Sequence, residues 1–414
     1  MQPHPALSCG LLLACALPCQ SEFEYYHINQ VLATGQSLAT GVGGTTVLSV
    51  TQPFTNLMFD TGICTGVGTG FVPLVNTQRE TMYPSFANLV TQLASTEVFI
   101  GLPAPIHSHD ILVTCHAVGG LNYRKLKKGS NAYQTGMNQV TQARNLALGL
   151  GLTHTVRAVT NIHGETDHQT GNTHYQMNLV QWQEDYETDV RAITGQETPV
   201  PMLHSQMSSW TWYGQATSLI PIDQLNASKQ VPDKLLLVGP KYFLPYADGV
   251  HLTSEGYQQL GEYYAKVYDW AVLRQRRWKP LWPVSAQASG SKIIVTFEVP
   301  DPPLVLDTTL VSDPGNYGFE YFEPSPSRPV TSTAPIPTLL GVAITGPVTV
   351  ELTLSGPPAG NKPVVRYAYS GRPAAPAGPM TGPRGNLRDS DPTPSRHGYP
   401  LYNWAVHFEI PVTN

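Results

Sequence analysis

Between residues 28 and 278, apolar runs of strand length alternate with stretches whose apolar side chains recur every three or four positions. This is the pattern of β-α-β units on a parallel sheet. INQVLATG (28–35) is the first predicted strand, and DILVTCHAVGG (110–120) reads as a buried strand that ends in a glycine pair. The next stretch, 131–151, carries Tyr133, Met137, Val140 and Ala147 at helical spacing, with Gly149 and Gly151 as its stop. THTVRAVTNI (153–162) is the following strand. A helix then sets Tyr175, Leu179, Trp182, Tyr186, Val190 and Ile193 on one core-facing stripe. PVPMLHSQ and KLLLVGP are two further strands, and a last helix over 254–274 places Tyr257, Leu260, Tyr264, Val267 and Ala271 on one face.

After residue 281 the pattern changes. Helical periodicity disappears, and SKIIVTFEV, VTVELTL, PVVRYAY and YNWAVHFEIPV alternate with Pro/Gly loops, of which GRPAAPAGPMTGPRG (371–385) is the most extreme. Regularly spaced short strands predict a β-sandwich. The expected division is therefore an α/β domain over 21–280 and an accessory β-sandwich over 281–414.

Composition narrows the class. Lys and Arg number 24 against 29 Asp and Glu, a net charge of −5, which argues against nucleic acid as a partner. Only 13% of residues are charged, while Gly and Pro reach 36 and 37, as expected of a turn-rich protein with a polar but weakly ionic surface. Of five cysteines, Cys9, Cys15 and Cys19 crowd the N-terminus, and Cys64 and Cys115 are left to be bridged or free. ALSCGLLLACALPC (6–19) has the length of a signal-peptide core, so residues 1–20 are expected to be a signal or lipoprotein signal segment. The corresponding destination is secreted, periplasmic or cell-surface; the alternative is an apolar segment that packs on the protein. No other stretch is long and apolar enough to span a bilayer.

In an open parallel sheet, functional groups gather just beyond the carboxyl ends of the strands. Four places there hold suggestive residues: Ser37 in GQSL, the pair Gly119–Gly120, HGETD (163–167) and DGVH (248–251). Asp248 and His251 stand three residues apart on a turn, where a carboxylate can fix the tautomer of an imidazole that takes a proton from a hydroxyl. Backbone N–H groups of Ser37 and Gly120 are candidate oxyanion donors, since glycine lets the backbone approach a substrate closely. His163, Asp167, His168 and His174 also invite a metal reading, but their spacing matches no familiar metal motif, and neither a metal nor a cofactor is expected. HSHD (107–110) reads as a polar loop, and His116 and His204 read as hydrogen-bonded interior histidines.

GQSL, AVGG, HGETD and DGVHLTSEGY, in this order, resemble the four blocks of the SGNH (GDSL) hydrolase superfamily, in particular its sialate O-acetylesterase and plant-type carbohydrate esterase branch. The resemblance covers roughly residues 28–275 and implies a three-layer αβα, flavodoxin-like parallel sheet. It also implies that Ser37 is the nucleophile, His251 the base, Asp248 its orienter and Gly120 an oxyanion donor, with Gln36 and Glu165 in support. The chain departs from the branch twice: Leu38 replaces the usual Asn, and His163 stands where a Gln donates to the oxyanion. An imidazole N–H is expected to take over that role from the amide. GNLRDSDP (385–392) and LYNW (401–404) resemble the Arg-Asp turn and terminal aromatic strand of the branch, with Trp404 expected in the core. The implied activity is removal of O-acetyl groups from sialic acid or polysaccharide through an acyl-enzyme, with acetylated glycan or a small ester as partner. The alternatives are a general carboxylesterase or lipase-like enzyme, and a non-catalytic glycan-binding protein of the phage tail adhesin type.

Overall fold

A computed structural model describes residues 24–96, 109–323, 336–359 and 362–413. The expected signal segment 1–20, with its three cysteines, and His107 of HSHD lie outside these residues.

All eight residues of β1 (Ile28–Gly35) are buried, as suits a central strand covered on both faces. Around it lie β2 (Leu57–Phe59), β3 (Phe71–Pro73), β4 (Ile111–Cys115), β5 (His154–Ile162), β6 (Met202–Ser205) and β7 (Leu235–Gly239). Their order is β3-β2-β4-β1-β5-β6-β7. Every pairing is parallel except that of the edge strand β3 with β2.

Among the described residues seven helices accompany the sheet: α1 (Tyr83–Thr96), α2 (Tyr123–Leu126), α3 (Asn131–Gly149), α4 (Glu165–Gln169), α5 (Tyr175–Thr194), α6 (Ile220–Gln230) and α7 (Ser254–Tyr268). Side chains of β1 alternate between two cores, as the pleat requires. Val31 and Ala33 pack with Phe86 and Val90 of α1 and Leu260 and Tyr264 of α7. Leu32 faces the other way, into a core with Met137 and Val140 of α3 and Trp182 and Tyr186 of α5. The parallel sheet expected from the periodicity and the three-layer architecture implied by the resemblance are thus present. Local signals fix the helix ends: Ser130 and Thr253 cap α3 and α7 by accepting from the N–H groups of Tyr133 and Gly256. The predicted last helix continues past α7 as a π turn over Asp269–Leu273.

The C-terminal part is a β domain, as expected. It contains β8 (Trp282–Ser289), β9 (Lys292–Glu298), β10 (Val305–Leu306), β11 (Phe319–Phe322), β12 (Leu339–Gly346), β13 (Thr349–Leu354), β14 (Val364–Tyr367), β15 (Leu387–Arg388) and β16 (Phe408–Thr413). Seven of these form one mostly antiparallel sheet in the order β11-β14-β16-β8-β9-β13-β12, and β10 pairs with β15. The edge strands β11 and β12 approach each other, so the sheet curls toward a barrel. Phe319, Tyr367 and Phe408 fill the curl, with ring centroids 4.8 Å and 5.4 Å apart along the series.

The two parts share a continuous core. Trp404 is buried and stacks on Phe243 at 5.5 Å, and the Tyr242 hydroxyl donates to the Ala405 carbonyl at 2.8 Å. Arg388 pairs with Asp307 at 2.8 Å and covers the Tyr402 ring, so the Arg-Asp segment is bound up in the β domain itself.

Candidate active site

β1 ends at Gly35, whose φ of +127° and tight surroundings admit no side chain: an added Cβ would lie 2.3 Å from the Ile162 carbonyl oxygen. The chain then turns over into a 3-10 turn, Ser37–Thr40, which lifts Ser37 to the carboxyl rim of the sheet. Leu38, where the branch has Asn, is buried in the apolar core below.

DGVH reaches the same point from the segment between β7 and α7. Asp248 Oδ1 accepts from the N–H groups of Val250 and His251 at 2.6 and 2.7 Å, the self-capping turn that Asp favours. Its Oδ2 lies 2.8 Å from His251 Nδ1. His251 Nε2 in turn lies 2.8 Å from Ser37 Oγ, across 214 residues of sequence. With Nδ1–H donating to the carboxylate, Nε2 is left to accept from the serine hydroxyl. Partial burial opposes ionisation of Asp248, but the hydrogen bonds from the His251 backbone and ring and from the Val250 N–H hold its pKa below the ordinary carboxylate value. The relay sits at the surface: the His251 side chain is 21% exposed and that of Asp248 50%.

Gly119 lies against the serine, since a Cβ added there would be 3.6 Å from Ser37 Cβ. Gly120 follows with φ +70°, in open space. The loop that continues from this pair is held from below by HGETD. His163 Nε2–H donates to the Leu121 carbonyl at 3.1 Å, and Asp167 Oδ2 accepts from the Tyr123 N–H at 2.8 Å. His163 Nδ1 accepts from the Tyr175 hydroxyl at 2.8 Å, and the ring is packed between Tyr175 and Trp182. Burial pushes the His163 pKa below the usual imidazole value despite the nearby Asp167 charge. This corrects the expectation drawn from the branch. Both ring nitrogens of His163 are engaged and the residue is 1% exposed, so it has no N–H to offer an oxyanion. It braces the backbone next to Gly120 instead.

Glu165 is also fully buried. Its Oε1 lies 3.9 Å from Lys241 Nζ and accepts from Ser209 Oγ at 3.5 Å. Lys241 donates to the Gln206 carbonyl at 2.8 Å, and burial lowers its pKa against the opposing pull of Glu165. Gln36 Oε1 accepts from the Thr166 N–H at 3.4 Å, which ties the serine turn to the start of α4. Lys241 had no motif around it in the sequence; its partner Glu165 was the available clue. Trp212, in SSWTWYG after β6, was likewise not singled out, yet it lies across Gly249, next to Asp248.

The other histidines are used locally. His168 Nδ1 pairs with Ser218 Oγ at 2.9 Å and His174 Nδ1 with Thr173 Oγ1 at 3.2 Å. Among the described residues no three His, Cys, Asp or Glu side chains converge as a metal site. His116 and His204 bond Tyr186 and Ser228 in the interior, and His109 bonds Tyr268. Cys64 and Cys115 are free thiols, the first exposed and the second buried. No helix among the described residues is long and apolar enough to cross a membrane.

Residues 82–269 match the family model described as carbohydrate esterase, sialic acid-specific acetylesterase. The match includes Asp248 and His251 and begins after Ser37. No curated protein matches the chain. Among solved structures, a carbohydrate acetylesterase from Xanthomonas citri superposes with a TM-score of 0.55 at 16% identity, over 92% of this chain and 80% of that one, and shares its fold. A protein from Arabidopsis thaliana superposes with a TM-score of 0.40 at 17% identity, over 58% of this chain and 97% of that one. A carbohydrate acetylesterase from Sinorhizobium meliloti gives 0.33 at 13%, over 59% and 99%. Residues 82–269 of this chain thus match the sialic acid-specific acetylesterase family of carbohydrate esterases, and the chain shares the fold of a carbohydrate acetylesterase.

Proposed function

We propose that the protein removes O-acetyl groups from a carbohydrate, with Ser37 as nucleophile, His251 as general base and Asp248 as its orienter. The observation that carries this reading is the unbroken series Asp248 Oδ2, His251 Nδ1, His251 Nε2, Ser37 Oγ, with 2.8 Å at each hydrogen bond. His251 Nε2 takes the hydroxyl proton as Ser37 Oγ attacks the acetyl carbonyl. The tetrahedral oxyanion is held by the N–H groups of Ser37 and Gly120, whose loop His163 and Asp167 keep in place. His251 then returns the proton to the departing sugar oxygen, which leaves acetyl-Ser37. Water, deprotonated by the same His251, releases acetate and restores the serine.

The open setting of the relay favours an acetyl group carried on a large polar molecule over a long acyl chain. Acetate release from p-nitrophenyl acetate and from 9-O-acetylated N-acetylneuraminic acid or acetylated xylo-oligosaccharide tests the reading. Ser37→Ala is expected to lose at least about a thousandfold in kcat/KM. Equal turnover by the variant, or a preference for p-nitrophenyl octanoate over every acetyl ester, would overturn it.

A further inference from the structure

Trp212 is 48% exposed, and among the described residues it is the tryptophan most open to solvent. A single exposed apolar side chain is ordinary on a protein surface. The position of this one is specific. A Cβ built on Gly249 would meet the indole at 2.1, 2.2 and 2.6 Å from three bonded ring atoms, so the ring lies directly against the residue between Asp248 and Val250. The catalytic turn and the indole are therefore in direct contact, and only glycine at 249 permits it.

The turn that carries Trp212 is fixed from outside the catalytic domain. Its neighbours Trp210 and Thr211 are buried. Thr211 Oγ1 donates to the Ala375 carbonyl at 2.8 Å, and its own carbonyl accepts from the Ala374 N–H at 2.7 Å. The Gly371 N–H donates to the Ala216 carbonyl at 2.9 Å, and the Ala377 N–H to the Gly249 carbonyl at 3.3 Å. One Pro/Gly loop of the β domain, 371–385, thus grips both the tryptophan turn and the glycine under the ring.

We propose that Trp212 is a platform for the apolar C–H face of a pyranose ring of the acetylated substrate, and that the 371–385 loop holds it beside Asp248 and His251. A pyranose presents a face of axial hydrogens with its hydroxyls at the rim, which matches a flat π surface at the edge of a polar site. This inference rests on the carbohydrate esterase reading and names how the sugar is held. It gives the β domain a direct part in substrate binding.

The test compares kcat and KM of wild type, Trp212→Ala and Trp212→Phe on p-nitrophenyl acetate, which has no sugar, and on acetylated xylotriose and 9-O-acetylated N-acetylneuraminic acid. For a sugar ester that wild type hydrolyses, Trp212→Ala is expected to raise KM about tenfold or more, and to lose about tenfold more kcat/KM than on p-nitrophenyl acetate. Trp212→Phe is expected to recover most of that difference. Equal losses on sugar and non-sugar esters mean that the ring only supports the Asp248 turn, and they overturn the proposal, as does no loss on either. Calorimetric titration of Ser37→Ala, with and without Trp212→Ala, using xylotriose and N-acetylneuraminic acid gives a readout independent of turnover. A tenfold weaker binding without the indole upholds the platform even if the esterase reading fails; unchanged binding, or none in either protein, overturns it.

Discussion

The site contains two histidine–carboxylate pairs that look alike in sequence and differ in the fold. His251 and Asp248 stand on an exposed turn, with one imidazole nitrogen aimed at Ser37. His163 and Asp167 are sealed beneath the rim, and both nitrogens of His163 are spent on protein groups. Chemical type does not separate them. Burial and the partner on the second nitrogen do, because a base must keep one nitrogen for the substrate while a brace must satisfy both.

The sharpest way to break this comparison is to delete groups from the exposed relay and from the buried layer beneath the rim. Ser37→Ala or His251→Ala is expected to lose about a thousandfold or more in kcat/KM, with the melting temperature nearly unchanged, since both side chains reach the surface. Lys241→Met should do the opposite. It leaves Glu165 buried without its ion partner, at a cost of about 3–5 kcal/mol in urea unfolding, and adding Glu165→Gln should restore part of the loss. His163→Ala strands the Tyr175 hydroxyl and the Leu121 carbonyl, for about 2–3 kcal/mol, and its loss of activity should stay well below that of Ser37→Ala. An equal loss would return His163 to the oxyanion.

A pH series sharpens the same contrast at smaller amplitude. Burial lowers the pKa of His116, His204 and His407 to about 3 and that of His154 to about 4. The unfolded chain therefore binds more protons than the folded one below pH ~6.5, so their contribution is complete above that pH and fades as pH falls toward the folded values. Each is expected to withdraw less than about 1 kcal/mol between pH 7 and pH 6, seen as a falling melting temperature. Asp248 acts lower still. Its depressed pKa keeps it ionised through the neutral range, and its hydrogen bonds to the His251 turn weaken only as pH falls through and below the usual carboxylate range.

Much of this was legible in the chain because the decisive signals are local. DGVH can close its own turn through Asp248, and GQSL closes a strand-like run with Ile28, Val31, Leu32 and Ala33, so both could be placed on the rim before any fold was known. The helices α3, α5 and α7 carried clear stripes. The helix α1 did not, because Ser85, Asn88 and Thr91 are buried along with Phe86 and Val90 and leave no polar face to mark its period. The helix α6 has Pro221 at its start and is apolar on two sides, against different cores. The role of His163 was misread because motif position says nothing about what lies behind a side chain: Tyr175 and Leu121 reach it only in the folded state. Lys241 and Trp212 gained meaning only from contacts with Glu165 and Gly249.

The most direct measurement is covalent trapping. Wild-type protein is treated with diethyl p-nitrophenyl phosphate, and the intact and digested masses are read, with Ser37→Ala and His251→Ala in parallel. One phosphoryl adduct on the peptide containing Ser37, formed with loss of esterase activity, absent in Ser37→Ala and slowed in His251→Ala, is the expected result. Inactivation with the label on another residue, or full labelling of Ser37→Ala, would contradict the assignment of Ser37 as the nucleophile.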